Sequence, residues 1–131
     1  MPYLNLSYAS VEAPAAAELA AALTDLTVGL LGKKRELTVV RLQRVPLAEW
    51  FLGGVALGEG QAGAVLEIRI TAGTNTKAEK AAFIRGAFAA LAERLPGLVP
   101  ASYVALHEPP ADAWGYGGLT QEFRYIQGQL L

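Results

Sequence analysis

Pro2 is the residue whose type and position could do chemistry on their own. Initiator methionine is commonly removed ahead of a small residue, and a chain that then begins with proline carries a secondary amine. An α-amino group has a reference pKa of about 7.7–8.0. Burial lowers that value, because desolvation disfavours the charged form. The result is a general base poised near neutral pH. If Met1 stays, the Pro2 nitrogen is a tertiary amide with no lone pair for base chemistry. The bland alternative is a proline tolerated at the start of an edge strand. Little else offers a reactive centre. There is no cysteine, and His107 is the only histidine. That argues against a zinc or iron site built from several His or Cys ligands, and so against a metal or other cofactor. His107 lies in the middle of a strand pattern and reads as a packing residue. Arg41 and Arg69 read as ion-pair or interface residues that could also reach a substrate anion. Glu108 and Asp112 read as loop acids.

The elements that must position Pro2 follow from periodicity. In residues 1–8, Leu4, Leu6 and Tyr8 alternate with Tyr3, Asn5 and Ser7, the period of a β-strand. Pro14 suits the first position of a helix. Leu19, Leu23, Leu26 and Leu30 then mark one helical face, and Gly32 ends it as a C-terminal cap. Lys33, Lys34 and Arg35 follow, suited to the negative end of that helix. Residues 36–45 alternate as a second strand. Strand, helix and strand joined by short links form a right-handed parallel βαβ unit. Residues 47–63 form a glycine-rich connection. The pattern then repeats: a strand over 64–72, a capping box of Thr76 and Glu79, and a helix with Ile84, Phe88, Leu91 and Leu95 on one face. A strand over 102–108, a loop over 111–118 and a short closing strand over 120–126 complete the chain.

The repeat is visible in the residues. The stretch from Pro46 through Trp50 to Gly53-Gly54 matches that from Pro110 through Trp114 to Gly117-Gly118 at an offset of 64, and Leu4 and Leu6 fall on Ile68 and Ile70 at the same offset. The reading is an α+β fold: one domain over 1–131 made of two βαβ repeats, about 1–63 and 64–131, giving a four-stranded mixed sheet with two helices on one face. The other face of such a sheet needs a cover. In a chain that is 53% hydrophobic and only 18% charged, a symmetric oligomer would supply it. Net charge is −1 with no basic stripe, which argues against nucleic acid as a partner. The longest apolar run is broken by Glu18 and Asp25, and the start lacks a signal-peptide layout. The expectation is a cytoplasmic protein that does not meet a membrane.

These residues resemble the tautomerase superfamily, which includes 4-oxalocrotonate tautomerase and macrophage migration inhibitory factor. The resemblance spans nearly the whole chain. It is carried by Met1-Pro2 ahead of a strand, the duplicated βαβ unit, the two Trp…Gly-Gly loops, Leu91-Ala-Glu-Arg-Leu95, and the strand that begins at Tyr103 and ends at His107. Phe51-Leu-Gly-Gly-Val55, with the link that follows, also looks like the cis-3-chloroacrylic acid dehalogenase branch.

The resemblance implies a homotrimer that uses no cofactor. Pro2 would remove a proton α to a carbonyl and redeliver it, giving keto–enol isomerisation of a small 2-keto or enol acid. Lys33 falls where macrophage migration inhibitory factor-like members place a site lysine. Tyr103 matches a tyrosine supplied by a neighbouring subunit. Those two could hold an enolate or carboxylate oxygen, and Trp114 or Trp50 could wall the site and depress the Pro2 pKa. The arginines that the dehalogenase and decarboxylase branches carry after the third strand are absent, since that stretch reads Thr71-Ala-Gly-Thr-Asn75. The dehalogenase helix histidine falls on Thr27, and its glutamate falls near Tyr116. Isomerisation is therefore implied rather than dehalogenation or decarboxylation. Leu66 stands where a second proline would start the second repeat, so one site per subunit is expected. The alternative is a non-catalytic oligomer of the same fold that keeps Met1 and binds a small molecule or a protein partner.

Overall fold

Period-two alternation produces β1 (Tyr3–Ala9), whose Leu4, Leu6 and Tyr8 are buried on one side. Residues 1–129 are described, from a computed structural model. Within them the order continues as α1 (Ala16–Leu31), β2 (Val39–Arg44), β3 (Phe51–Leu52), β4 (Val55–Ala56), β5 (Gly63–Arg69), α2 (Lys77–Arg94), β6 (Tyr103–His107), β7 (Gly115–Tyr116), β8 (Leu119–Thr120) and α3 (Gln121–Gln129). The four long strands form one mixed sheet in the order β2-β1-β5-β6. The pairs β1/β2 and β5/β6 are parallel, and β1/β5 at the centre is antiparallel.

Burial is one-sided. Leu4, Leu6, Leu66, Ile68 and Ile70 meet Leu19 and Leu23 of α1 and Phe83, Ala87 and Leu91 of α2 in a single core cluster. Each such fully buried leucine contributes about 1.5–3 kcal/mol of transfer free energy. The opposite face carries Asn5, Arg41, Gln43, Glu67 and His107. There His107 Nε2 lies 2.9 Å from Glu67 Oε2. Among the described residues Arg41 and Arg69 make no ion pair. Glu108 does pair, with Lys80 at 2.7 Å, and so ties α2 to the end of β6. No described helix is long and apolar enough to cross a membrane.

Several local expectations shift. Pro14 precedes α1 rather than opening it, and the N-cap Ala15 offers no side-chain bond. The buried stripe of α1 is Leu19, Leu23, Thr27 and Leu31, with Leu26 and Leu30 half-buried. In α2 it is Phe83, Ala87 and Leu91, while Ile84 is exposed. The second strand starts late because Arg35–Leu37 closes a 3-10 turn. Both glycine-rich loops are two-residue hairpins, β3–β4 and β7–β8. Their turns, Gly53-Gly54 and Gly117-Gly118, share φ values of 61° and about 80°. That double positive φ is the type I′ geometry that glycine adopts without strain.

Two corrections matter for the site. The stretch 120–126 is not a closing strand. Thr120 Oγ1 accepts the N–H of Phe123 at 3.0 Å and starts α3, so the described residues hold three helices rather than two. The inner strands also align differently from the offset read in the sequence. Leu4 pairs with Val40 and Leu66 with Val104; Leu6 pairs with Leu42 and Ile68 with Leu106. The residue equivalent to Pro2 is therefore Ala64, not Leu66.

Candidate active site

The sheet delivers Pro2 to one corner of the molecule. Val39 donates its N–H to Pro2 O at 3.2 Å, which extends the β1/β2 ladder back to the proline. The Pro2 ring is fully buried. Gly32, with φ 68°, turns the chain out of α1 and caps the helix through bonds to Thr27 O and Val28 O. That turn sets Lys33 and Lys34 beside the chain start. A cleft of about 300 Å³ opens there, lined by Met1, Lys33, Lys34, Tyr116, Gln121 and Arg124 among others.

The charge state of the corner follows from its surroundings. Burial, reinforced by Lys33 and then Lys34, holds the Met1 ammonium below its ordinary value of 8.0. Burial also lowers Lys33 from 10.5, against the opposing pull of Glu79 and Glu108.

Lys33 Nζ donates to Thr74 Oγ1 at 2.9 Å, and that hydroxyl donates to Thr71 O at 2.6 Å. Trp114 Nε1 donates to Thr71 Oγ1 at 3.1 Å. The 71–75 turn, where arginines were looked for, therefore links Lys33 to Trp114 by hydrogen bonds. Trp114 stands behind this turn rather than lining the cleft. Trp50 belongs to the opposite corner, its indole packed on the backbone of Gly63. Tyr103 is 67% exposed on the edge strand β6, level with Val65 and Ser7, and does not reach the Pro2 corner of its own chain. Thr27 is buried, with its hydroxyl on Leu23 O, and takes no part.

Sequence reasoning missed Gln121 and Arg124. Both sit on α3, read there as a strand. Arg124 stacks its guanidinium on the Tyr116 ring, 3.8 Å from the centroid, and donates to Tyr116 O at 2.9 Å. Its Nε and the Gln121 Nε2 are buried without an acceptor among the described residues. A threonine followed by Glu122 in the next turn was the available signal for a helix start.

No protein-family model and no curated protein matches the chain. Solved structures do. A wild-type fused 4-OT, solved as a symmetric trimer, superposes with a TM-score of 0.78 at 27% identity, covering 92% of this chain and 96% of that one. This is the tautomerase-superfamily fold. Pt0534, solved after inactivation by 2-oxo-3-pentynoate, superposes at 0.77 with 19% identity over 93% of this chain and 98% of its own. N1, a member of the cis-3-chloroacrylic acid dehalogenase family, gives 0.70 at 20% identity, covering 94% and 90%. At those identities the last two speak for the tautomerase fold alone.

Proposed function

We propose that the protein is a cofactor-independent keto–enol tautomerase of a small 2-keto or enol acid, with Pro2 as general acid and base once Met1 is removed. The observation that carries this reading is the placement of Pro2: fully buried at the head of β1, directly behind Met1, whose amine this corner desolvates and flanks with Lys33 and Lys34. The neutral prolyl nitrogen takes the proton α to the carbonyl. Lys33 stabilises the enolate oxygen as charge develops. The prolinium then returns the proton, and no redox equivalent or metal is consumed.

A homotrimer is part of the proposal. The fused 4-OT is a trimer, and exposed Phe51, Val55 and Tyr103 offer apolar surface for a second copy. In that assembly Tyr103 is free to enter a neighbour's cleft and donate a hydrogen bond. Trp114 acts from behind, fixing the 71–75 turn that holds Lys33.

The test begins with the intact mass of recombinant protein and a ketonisation assay on phenylenolpyruvate with the same sample. Loss of Met1, activity that vanishes in Pro2→Ala, and a single adduct on Pro2 after treatment with 2-oxo-3-pentynoate are the expected results. Retained Met1 with no activity sinks the reading and leaves the non-catalytic binding oligomer.

A further inference from the structure

The geometry assigns α3 a ligand-binding role: Arg124 and Gln121 form a carboxylate subsite that fixes which end of the substrate faces Pro2. This rests on the tautomerase reading of the same cleft. Four observations carry it. First, the cleft lining among the described residues includes Lys33, Lys34 and Arg124 and no aspartate or glutamate, so its chemistry suits an anion. Glu79 and Glu108 act on Lys33 from outside that lining.

Second, Arg124 Nε and Gln121 Nε2 are buried donors with no acceptor among the described residues. Leaving such a donor unmade is costly, and a charged acceptor recovers the most. Third, the guanidinium is already oriented. Its stack on Tyr116 and its bond to Tyr116 O fix the plane, so a carboxylate finds a preorganised fork.

Fourth, the other repeat supplies a control within the same molecule. Gln121 N donates to Trp114 O at 3.0 Å, as Leu57 N donates to Trp50 O at 3.0 Å. The two residues hold equivalent places after equivalent hairpins. Leu57 is buried as an apolar plug, whereas Gln121 presents an amide with an unused donor. A position that packing alone would fill with leucine carries a hydrogen-bonding group only at the corner that holds the cleft.

The substrate class that follows is a small 2-keto or enol acid whose carboxylate sits on Arg124 and Gln121, with its α-carbon toward Pro2. The test pairs binding with turnover in the full chain. Cinnamate, a carboxylate that cannot tautomerise, is titrated by calorimetry into wild type, Arg124→Met, Arg124→Lys and Gln121→Leu. The expected losses of affinity are about ten- to a hundredfold for Arg124→Met, less for Arg124→Lys, and several-fold for Gln121→Leu. In turnover, Arg124→Met should raise KM for phenylenolpyruvate by a similar factor with little change in kcat, and leave its neutral methyl ester unaffected. Gln121→Leu keeps the Arg124–Tyr116 contact, so it carries the test if Arg124→Met loosens α3.

Equal cinnamate affinity in wild type and Arg124→Met overturns the proposal, as does no binding by wild type at millimolar concentration. A weakened oligomer with unchanged cinnamate affinity also overturns it, assigning the donors to a subunit contact. Arg124-dependent cinnamate binding by a protein inactive on phenylenolpyruvate keeps the subsite and removes the tautomerase reading. Activity with an unchanged acid-to-ester preference in Arg124→Met does the reverse.

Discussion

The two repeats build the same corner twice and finish it differently. At one corner the chain starts: Pro2 is buried, Lys33 and Lys34 follow Gly32, and α3 closes the side. At the other the chain passes through. Ala64 takes the place of Pro2, and Leu98 and Val99 follow Gly97. The linker seals the gap, with Ala62 N bonded to Gly97 O at 3.0 Å and Val99 N to Ala62 O at 2.8 Å. Leu57 and Ala62 are buried there. The backbone frame is common to both. The placement of Pro2 and a handful of polar side chains distinguish the two corners; the second has its own cavity of about 390 Å³ outside the linker, lined by Glu59, Gln61, Arg94 and Gly97 among others.

The sharpest break in this comparison is Pro2→Ala. Replacing the secondary amine with a weaker, differently placed base should lower kcat/KM for phenylenolpyruvate by about 10²–10⁴-fold, the usual scale of a positioned general base. A loss below threefold in stopped-flow assays would remove Pro2 from the chemistry.

Next are the paired glycines. Both Gly32 and Gly97 have positive φ, but a Cβ on Gly32 meets open space while one on Gly97 collides with Gly60 O. Gly32→Ala should cost about 1 kcal/mol for the left-handed backbone. Gly97→Ala should cost about 3 kcal/mol or more, because the sealing linker must move. Urea unfolding measures both, and equal costs would mean the second corner is not sealed.

The pH profile is a third probe. The surroundings that lower the Met1 amine from 8.0 should act likewise on a Pro2 amine freed by loss of Met1, so kcat/KM should rise through that depressed pKa and fall as Lys33 loses its proton below 10.5. Lys33→Met removes one of the two charges that depress the amine. The rising limb should therefore move to higher pH and the falling limb disappear. An unmoved rising limb would leave burial and Lys34 as the causes.

The smallest effect contrasts the two helix starts. α2 has a complete capping box: Thr76 Oγ1 accepts the Glu79 N–H at 3.1 Å and Thr76 N donates to Glu79 at 2.7 Å. Thr76→Ala should cost about 1 kcal/mol. α1 begins at Ala15 without a side-chain cap, and Ala15→Ser should return about 0.5 kcal/mol. Thermal unfolding of both variants checks the pair.

What the sequence made legible was local. Thr76, Glu79 and Gly32 act through neighbours a few residues away, and all three were readable. The inner-strand register was misread because period-two alternation looks the same after any even shift. Only the pairing of Leu4 with Val40 and of Leu66 with Val104 decides it. The hairpins were hidden because two-residue strands carry no periodicity. In α2 the first two members of the stripe slipped by one, from Ile84 and Phe88 to Phe83 and Ala87, while Leu91 and Leu95 are buried as read; Phe83 and Ile84 are both apolar, and only packing against the sheet chooses between them. The closeness of Lys33 to the chain start was legible by position. The presence of Arg124 and Gln121 in the same cleft was not, because it depends on α3 folding back across the chain start.

That closure has an engineering consequence. Met1 lines the cleft together with Lys33 and Arg124. On the proposed reading, a purification tag ahead of Met1 would keep the Pro2 nitrogen acylated. Preparations carrying one should then be inactive, whatever their fold and yield.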